Sequence, residues 1–523
     1  MYATATTTTM LLVALQLLWP GALASPPNIL NLIVDDLRVP VPNSGEDLLL
    51  PNLNELREDS VTFSKAYSAV PVCGASRAAT LTGRSPTSLN LTVYTDMPKD
   101  YTTDVVTVHE YLKTLNYTTM AVGKVWHGQS AYAGEFDGEY DYYKHQSTFS
   151  GKHSCTGDTV VRIPDDQQGV VSDDDTCTGA YIDYNIANVT INLINSGLVT
   201  PFYLAVGFSN PHLPFVAHEK HFVAVGNATM PEVPYTPWKM PTIAHRNGEL
   251  SNYEDIDYIK ELGLWDNKQI NFTLPDDKVL SLRQGYYAAV RQTDEYIGLV
   301  LDALKAHGHW STTAVVMWSD HGFSLGEHAW WCKHRVDDID ARVPMLLRLP
   351  SVTDGAGSTY DFPVSLLDVV PTIAAIASES SNVNDVMPQC ATIGDGAGWC
   401  SDGGRSLVEV ATAPDSFTAM STFTQYMHHC KDQAVNVEQC EDAYMGYTIM
   451  TTANERFTAW IKWNEAEGYA YGDDEWVLWA EDEADGIGAF EYYERDSDPL
   501  ESVNLAYNRP DSRAATIDAR MQE

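Results

Sequence analysis

Asn28-Ile29-Leu30-Asn31-Leu32-Ile33-Val34-Asp35-Asp36 is the stretch that decides the fold class. A short, mostly apolar run closed by two carboxylates reads as a buried parallel strand with its acids at the C-terminal end, the end at which open α/β sheets bind ligands. Outward from it the pattern repeats. Val105, Val108, Tyr111, Leu112 and Leu115 have helical spacing and lead into a strand at 119–122 that stops at Gly123-Lys124. Residues 202–208 predict a third strand, ending just before Pro211-His212, and 281–306 a long amphipathic helix. Residues 313–318 predict a fourth strand, closed by Ser319-Asp320-His321-Gly322, and 345–349 a fifth, with a helix at 366–376 that contains Pro371. Strands alternating with helices give a mostly parallel sheet covered on both faces. The alternation stops near residue 410. Residues 448–451 and 456–462 read as half-exposed strands joined by a turn; an acidic stretch at 473–488 and a strand at 489–493 follow. The expected organisation is a signal peptide at 1–24, an α/β unit at 25–412, and a small subdomain at 413–523 with an antiparallel sheet and one helix near the end.

Composition narrows the function. Of 523 residues, 32 are Lys or Arg and 71 Asp or Glu, a net charge of -39 that repels phosphate backbones and anionic membranes and speaks against a nucleic-acid partner. An anionic substrate then needs a local cationic pocket. The apolar run at 10–18 is too short to span a bilayer and is followed by Gly21-Ala22-Leu23-Ala24, so it reads as a secretory signal peptide, with a soluble mature chain starting near Ser25 and no membrane insertion. Sequons at Asn90, Asn116, Asn188, Asn227 and Asn271 suit a glycoprotein on that route. Cys390/Cys400, Cys430/Cys440 and Cys155/Cys177 are spaced as short-loop disulfides; Cys73 and Cys332 are left over, either bridged to each other or free.

Four predicted strand ends deliver ionisable residues: Asp35-Asp36, Lys124 with His127, His212, and Asp320-His321. Paired carboxylates repel unless a cation sits between them, and oxygen ligands favour Ca²⁺ or Mg²⁺ over Zn²⁺. On that reading, removing one carboxylate relieves repulsion and raises metal-free stability. The alternative for Asp35-Asp36 is a loop and helix N-cap. In Pro71-Val72-Cys73-Gly74-Ala75-Ser76-Arg77-Ala78-Ala79-Thr80-Leu81-Thr82-Gly83-Arg84, a helix is expected to begin near Cys73, placing that side chain where backbone N–H groups favour anionic oxygens; a buried structural cysteine is the alternative.

This segment resembles the sulfatase signature whose cysteine is oxidised in the secretory pathway to formylglycine. The second sulfatase signature is matched by the run from Asn116 to His127. Pro211-His212-Leu213-Pro214-Phe215, the run from Ser319 to His328 with Trp331 and Lys333, and Asp496-Ser497-Asp498-Pro499-Leu500-Glu501 are similar to the branch of iduronate 2-sulfatase and its relatives. The resemblance covers nearly the whole mature chain, and that branch has a disulfide spaced like Cys390/Cys400. Ala75 stands where Pro is usual, Asn116 where Gly is usual, and Asn210 where Lys usually precedes the Pro-His pair.

The resemblance implies an alkaline-phosphatase-like α/β sandwich and a sulfuric ester hydrolase acting on sulfated sugars or glycans. It implies one Ca²⁺ held by Asp35, Asp36, Asp320, His321 and the residue 73 side chain, and maturation by the formylglycine-generating enzyme. An oxygen of the hydrated aldehyde would attack sulfur, expel the sugar alcohol and later release sulfate. Arg77 and Lys124 would stabilise the hydrate, and His127 would be the nearby base. His212 and Lys333 would supply the positive field for the sulfate oxygens, one of them protonating the leaving group. Glu327 and His328 invite a zinc reading, but without an H-E-x-x-H run they read as residues that shape the Lys333 loop. The route implies a secreted or lysosomal enzyme. Two alternatives remain: a formylglycine-dependent phosphodiesterase or phosphonate hydrolase of the same fold, and a catalytically silent glycan-binding glycoprotein with Cys73 unmodified.

Overall fold

The computed structural model describes residues 26–91, 105–127, 136–140, 160–171, 182–245, 274–412, 417–429, 443–464, 469–470 and 490–507, apart from short gaps within those ranges. The expected signal peptide, the Cys155/Cys177 and Cys430/Cys440 pairs, the acidic stretch at 473–488, and Asn90 and Asn271 lie outside the described residues.

Its centre is a nine-stranded sheet. Strand β1 (Asn28–Val34) lies between β4 (Phe202–Phe208) and β5 (Thr313–Ser319), parallel to both. Beyond β4 comes β3 (Thr118–Gly123), and beyond β5 come β6 (Arg342–Arg348) and β2 (Val61–Tyr67). Alternate side chains of β1 face opposite layers. Leu30, Leu32 and Val34 join the core beneath helices α1 (Pro51–Glu58), α4 (Ile182–Asn195) and α5 (Asp276–Ala306). Ile29 and Ile33 face the core of α3 (Val108–Thr114) and α6 (Val369–Ser378). Asn31, the one polar residue inside the strand, is satisfied: its amide donates to the Tyr203 hydroxyl and its carbonyl accepts from the Trp318 indole, both at 2.8 Å.

The fifth predicted strand departs from the parallel expectation, because β6 runs antiparallel to β5 and β2. The chain leaves β5 at the sheet's C-terminal edge and wanders along that edge through a loop and the short helix Asp338–Ala341. With no crossover helix to carry it back, the next strand starts at the same edge and must run in reverse. The helix expected at 105–115 begins later, after Thr107, where Thr107 and Glu110 form a capping box. The helix expected at 366–376 is a 3₁₀ turn (Leu366–Asp368) continuing into α6, and Pro371 falls in its first turn, where a missing N–H costs nothing.

The C-terminal sheet is antiparallel and five-stranded. It contains β7 (Thr422–His429), β8 (Ala443–Met450), β9 (Glu455–Asn464) and β10 (Phe490–Glu494). Rather than half-exposed, β8 is almost wholly buried. Tyr426, Tyr444 and Trp460 from this sheet share a core with Val72, Ala75, Ala78, Trp330 and Val336 of the larger unit. Cys390 and Cys400 form the expected disulfide, whereas Cys73 and Cys332 are buried and not disulfide-bonded.

Candidate active site

Four parallel strands end at one edge, so residues distant in sequence meet there. Helix α2 (Cys73–Thr82) starts at Cys73 after the extended Val72 and stops at Gly83, whose φ of 68° closes it with a left-handed cap. All ten of its residues are buried, which explains the run of Ala, Ser and Thr: larger side chains would not fit between the sheet and its neighbours. Cys73 and Arg77 are one turn apart and share a face.

Arg77 ties the strand ends together. Its Nε donates to Asp320 Oδ2 at 2.8 Å, Nη2 to Asp35 Oδ1 at 3.3 Å, and Nη1 to the Lys124 and Val125 carbonyls. Lys124 pairs with Asp35 Oδ2. Lys333 donates to Asp36 Oδ1 at 2.7 Å and reaches Cys73 Sγ at 3.3 Å. Every carboxylate of the cluster therefore already has a protein cation beside it. Burial alone would raise Asp35, yet the cationic Lys124, Arg77 and Lys333 hold it well below the usual carboxylate range. The repulsion inferred from adjacent acids is met by these cations, which argues against the expectation that losing one acid would raise metal-free stability.

Both histidines of the cluster are neutral. His321 Nδ1 faces the Gly322 carbonyl at 2.9 Å and so carries the proton, which leaves the Nε2 lone pair toward Cys73 Sγ at 3.2 Å and Asp36 Oδ1 at 3.4 Å. Burial lowers it to about 4, with Asp320 opposing and Lys333 adding to the fall. His212 Nδ1 likewise donates to the Leu213 carbonyl at 2.7 Å. Burial and the ammonium groups of Lys333 and Lys124 push His212 well below its ordinary value. The positive field comes from Lys124, Lys333 and Arg77, and His212 is not a source of it. His127 is half-buried three residues past Lys124, and the converging ligand groups do not include it.

Ligating atoms of Asp35, Cys73, Asp320 and His321 all lie within 4.8 Å of one another, as do those of Asp35, Asp36, Cys73 and His212. Oxygen ligands around one Ca²⁺ at about 2.4 Å are at most about 4.8 Å apart, so the spacing suits a single cation. Three carboxylates and a neutral imidazole nitrogen fit a hard divalent ion; the thiol is the misfit. Burial and Asp35 push the Cys73 thiol well above its ordinary value, which keeps it protonated, whereas an oxygen at that position would complete the donor set.

Sequence reasoning missed the partners that hold Asp36 and Glu327 in place: Tyr286, Arg38, Glu46 and Arg283. Asp36 has a φ of 59°, its N–H donates to Asp320 Oδ1 at 3.2 Å, and its carbonyl accepts from the Tyr286 hydroxyl on α5 at 2.8 Å. Arg38 pairs with Glu46 and, at 3.0 Å, with Glu327, which also takes Arg283 at 2.8 Å. Glu327 therefore anchors the start of the Lys333 loop, while His328 Nε2 reaches the Leu500 carbonyl at 2.6 Å. The sequence signal, in hindsight, was Arg38 two residues past the acidic pair.

The Sulfatase family model matches residues 27–379, and the chain belongs to the sulfatase family. It is 28% identical to mouse iduronate 2-sulfatase over 529 residues, covering 92% of this chain and 91% of that protein. Among solved structures, the phosphonate monoester hydrolase of Agrobacterium radiobacter aligns with a TM-score of 0.64 at 15% identity, covering 95% of this chain and 94% of that one. A protein solved with its substrate D-glucosamine-2-N,6-O-disulfate aligns with a TM-score of 0.62 at 18% identity, covering 95% and 96%. These structural likenesses establish the fold. Family membership makes the chain a sulfuric ester hydrolase, and among the described residues no helix is long and apolar enough to cross a membrane.

Proposed function

We propose that the protein is a Ca²⁺- and formylglycine-dependent sulfatase of sulfated sugars, with sulfated uronates as its substrate class. The observation that carries this is the convergence of Cys73 with Asp35, Asp36, Asp320, His321, Lys124 and Lys333 at one sheet edge. The name of the mouse relative supports the uronate.

In this reading Asp35, Asp36, Asp320 and His321 hold the cation together with residue 73. When bound, Ca²⁺ neutralises sulfate oxygens and acidifies an oxygen ligand, and formylglycine at position 73 supplies that oxygen. Arg77 fixes Asp35 and Asp320 in place. Lys333, already within reach of residue 73, binds a sulfate oxygen and protonates the departing sugar oxygen. His212, neutral with Nδ1 engaged, offers Nε2 as an acceptor that orients the nucleophile or a sugar hydroxyl. Lys124 stabilises the developing charge, and His127 serves as the outer base.

Residues 25–412 form the catalytic unit and 413–523 the C-terminal subdomain. The protein enters the secretory pathway, is matured there by the formylglycine-generating enzyme, and works as a secreted or lysosomal glycoprotein; the sequon residues Asn116, Asn188 and Asn227 are exposed, as glycan attachment requires. Comparing turnover of aryl sulfate with aryl phosphate and phosphonate esters tests the reaction class, and a panel of defined sulfated sugars tests the substrate. Sulfate esters are expected to react fastest. Faster phosphate or phosphonate turnover would contradict the proposal.

A further inference from the structure

Among its contacts with the site loop, the C-terminal sheet sets one histidine against the loop backbone. His428, buried on β7, points Nδ1 at the Ile243 carbonyl oxygen at 2.7 Å and Nε2 at the His334 carbonyl oxygen at 2.8 Å. Carbonyl oxygens only accept, and a neutral imidazole has a single N–H. In either neutral tautomer one contact would set lone pair against lone pair. Both are hydrogen bonds only when the ring is an imidazolium.

What this ring holds is the backbone on either side of Lys333. Cys332 has a φ of 67° and His334 a φ of 84°, so the lysine is flanked by two non-glycine residues in the left-handed region. Such residues are strained and persist only where their surroundings fix them. One support is local, the Arg335 guanidinium at 3.4 Å from the Trp331 and Lys333 carbonyls, and a second comes from β7, where Tyr426 stacks on the His334 ring at 5.4 Å and 12°. The third comes from His428, which spans from the C-terminal sheet to this loop and to the segment around Ile243.

We propose that His428 is a positioning residue for Lys333, acting as a doubly protonated clamp whose release at higher pH loosens the lysine. This rests on the reading of Lys333 as the sulfate-binding group. The titratable and charged groups on the elements packed around the ring have both signs. Tyr426 lies on its own strand, 5.6 Å away and edge-on, and Tyr444 is its partner across β8. Trp460 of β9 covers the ring at 4.7 Å and passes its indole N–H to Glu491 of β10 at 2.9 Å. The loop brings His334 and Arg335, and the Ile243 segment brings His245, which accepts from the Trp330 indole and which burial, with Arg335, lowers to about 3. Arg335 opposes a charge on His428 and Glu491 favours it; the two carbonyl oxygens decide the balance.

Histidine C2 hydrogen–deuterium exchange, followed by mass spectrometry on the full wild-type chain, reads the titration of His428 without mutating it. A midpoint above about 6.5, the ordinary histidine value, is expected, and one at or below it overturns the clamp. Backbone amide exchange of residues 331–336, corrected for intrinsic rate, should accelerate across the same midpoint; no change there also overturns it. For aryl sulfate, the KM of wild type should rise on the order of tenfold through that pH range, and this rise should be missing from His428→Gln. Profiles that superimpose after scaling would show that His428 does not position Lys333. If no sulfate ester is turned over at all, the catalytic reading fails while the two exchange measurements still decide the clamp.

Discussion

Arg77 Nε donates to Asp320 Oδ2 at 2.8 Å, and neither side chain has any exposed surface. This contact joins the helix that begins with Cys73 to the strand end that carries Asp320 and His321. The same guanidinium reaches Asp35, so one planar cation sets the spacing of three strand ends. Guanidinium geometry allows this because its donors diverge in a fixed fork, which an ammonium cannot reproduce.

Arg77→Ala should therefore leave two buried carboxylates short of a partner and cost about 3–5 kcal/mol, a large share of a typical stability of about 5–15 kcal/mol. Arg77→Lys should recover part of the melting temperature but remain at least about tenfold down in kcat/KM for aryl sulfate, since one ammonium cannot hold Asp35 and Asp320 together. Thermal unfolding and steady-state kinetics on the two variants check this; full activity in Arg77→Lys would contradict it.

Asp35→Asn should abolish turnover and weaken Ca²⁺ binding measured by calorimetry. It should also lower the melting temperature in chelator, because Lys124 and Arg77 lose their buried anion. A higher melting temperature than wild type would mean that carboxylate repulsion outweighs those pairs.

Two buried carboxylates pull the pH profile of stability in opposite directions. Burial alone would raise Glu327, but Arg38 and Arg283 hold it well below the carboxylate range, so its contribution is present above about 4.3 and is lost as pH falls through the folded value. Burial pushes Asp368 up to about 6, although it accepts from the Ser365 and Arg405 N–H groups. Its contribution is fully present below about 3.9 and is lost as pH rises toward that folded value. Wild type minus Asp368→Asn in unfolding free energy should thus fall between about pH 4 and 6, while wild type minus Glu327→Gln should grow as pH rises from strongly acid conditions. Denaturant titrations across that range test both signs.

Asn210 is half-buried beside His212, and its amide donates to the Val216 carbonyl at 3.3 Å. Asn210→Lys would place a cation at the edge of the site. A neutral aryl sulfate should be turned over nearly as before, while a sulfated uronate should gain several-fold in kcat/KM from its carboxylate, as a charged hydrogen bond of about 1.5 kcal/mol allows. Equal effects on both substrates would show that position 210 does not read the sugar.

The strand ends were legible in the sequence because each is a continuous buried apolar run cut off by polar residues, and the start of α2 because small residues follow Cys73. Strand β2 was not, since Thr62, Ser64 and Lys65 are only partly buried and break the apolar run. Strand β7 was missed for a different reason: its Thr424 and Gln425 are paired with Ser68 and Ala69, more than three hundred residues away in the chain, and no local pattern records that. The neutrality of His212 was equally invisible, because it depends on burial and on Lys333 and Lys124 arriving from a loop and a strand end remote in sequence. Glu327 was read as a loop-shaping residue, but no motif tied it to Arg283 or to Arg38, whose place just past the acidic pair was the one local signal.

The chemistry assigned to position 73 is the centre of the account, and one measurement addresses it directly. Protein made in a eukaryotic secretory pathway and active on aryl sulfate is digested with trypsin, and the peptide spanning residues 66–77 is analysed by mass spectrometry. The account predicts an aldehyde in place of the Cys73 thiol, in a fraction that scales with specific activity. Only unmodified cysteine in an active preparation would contradict it.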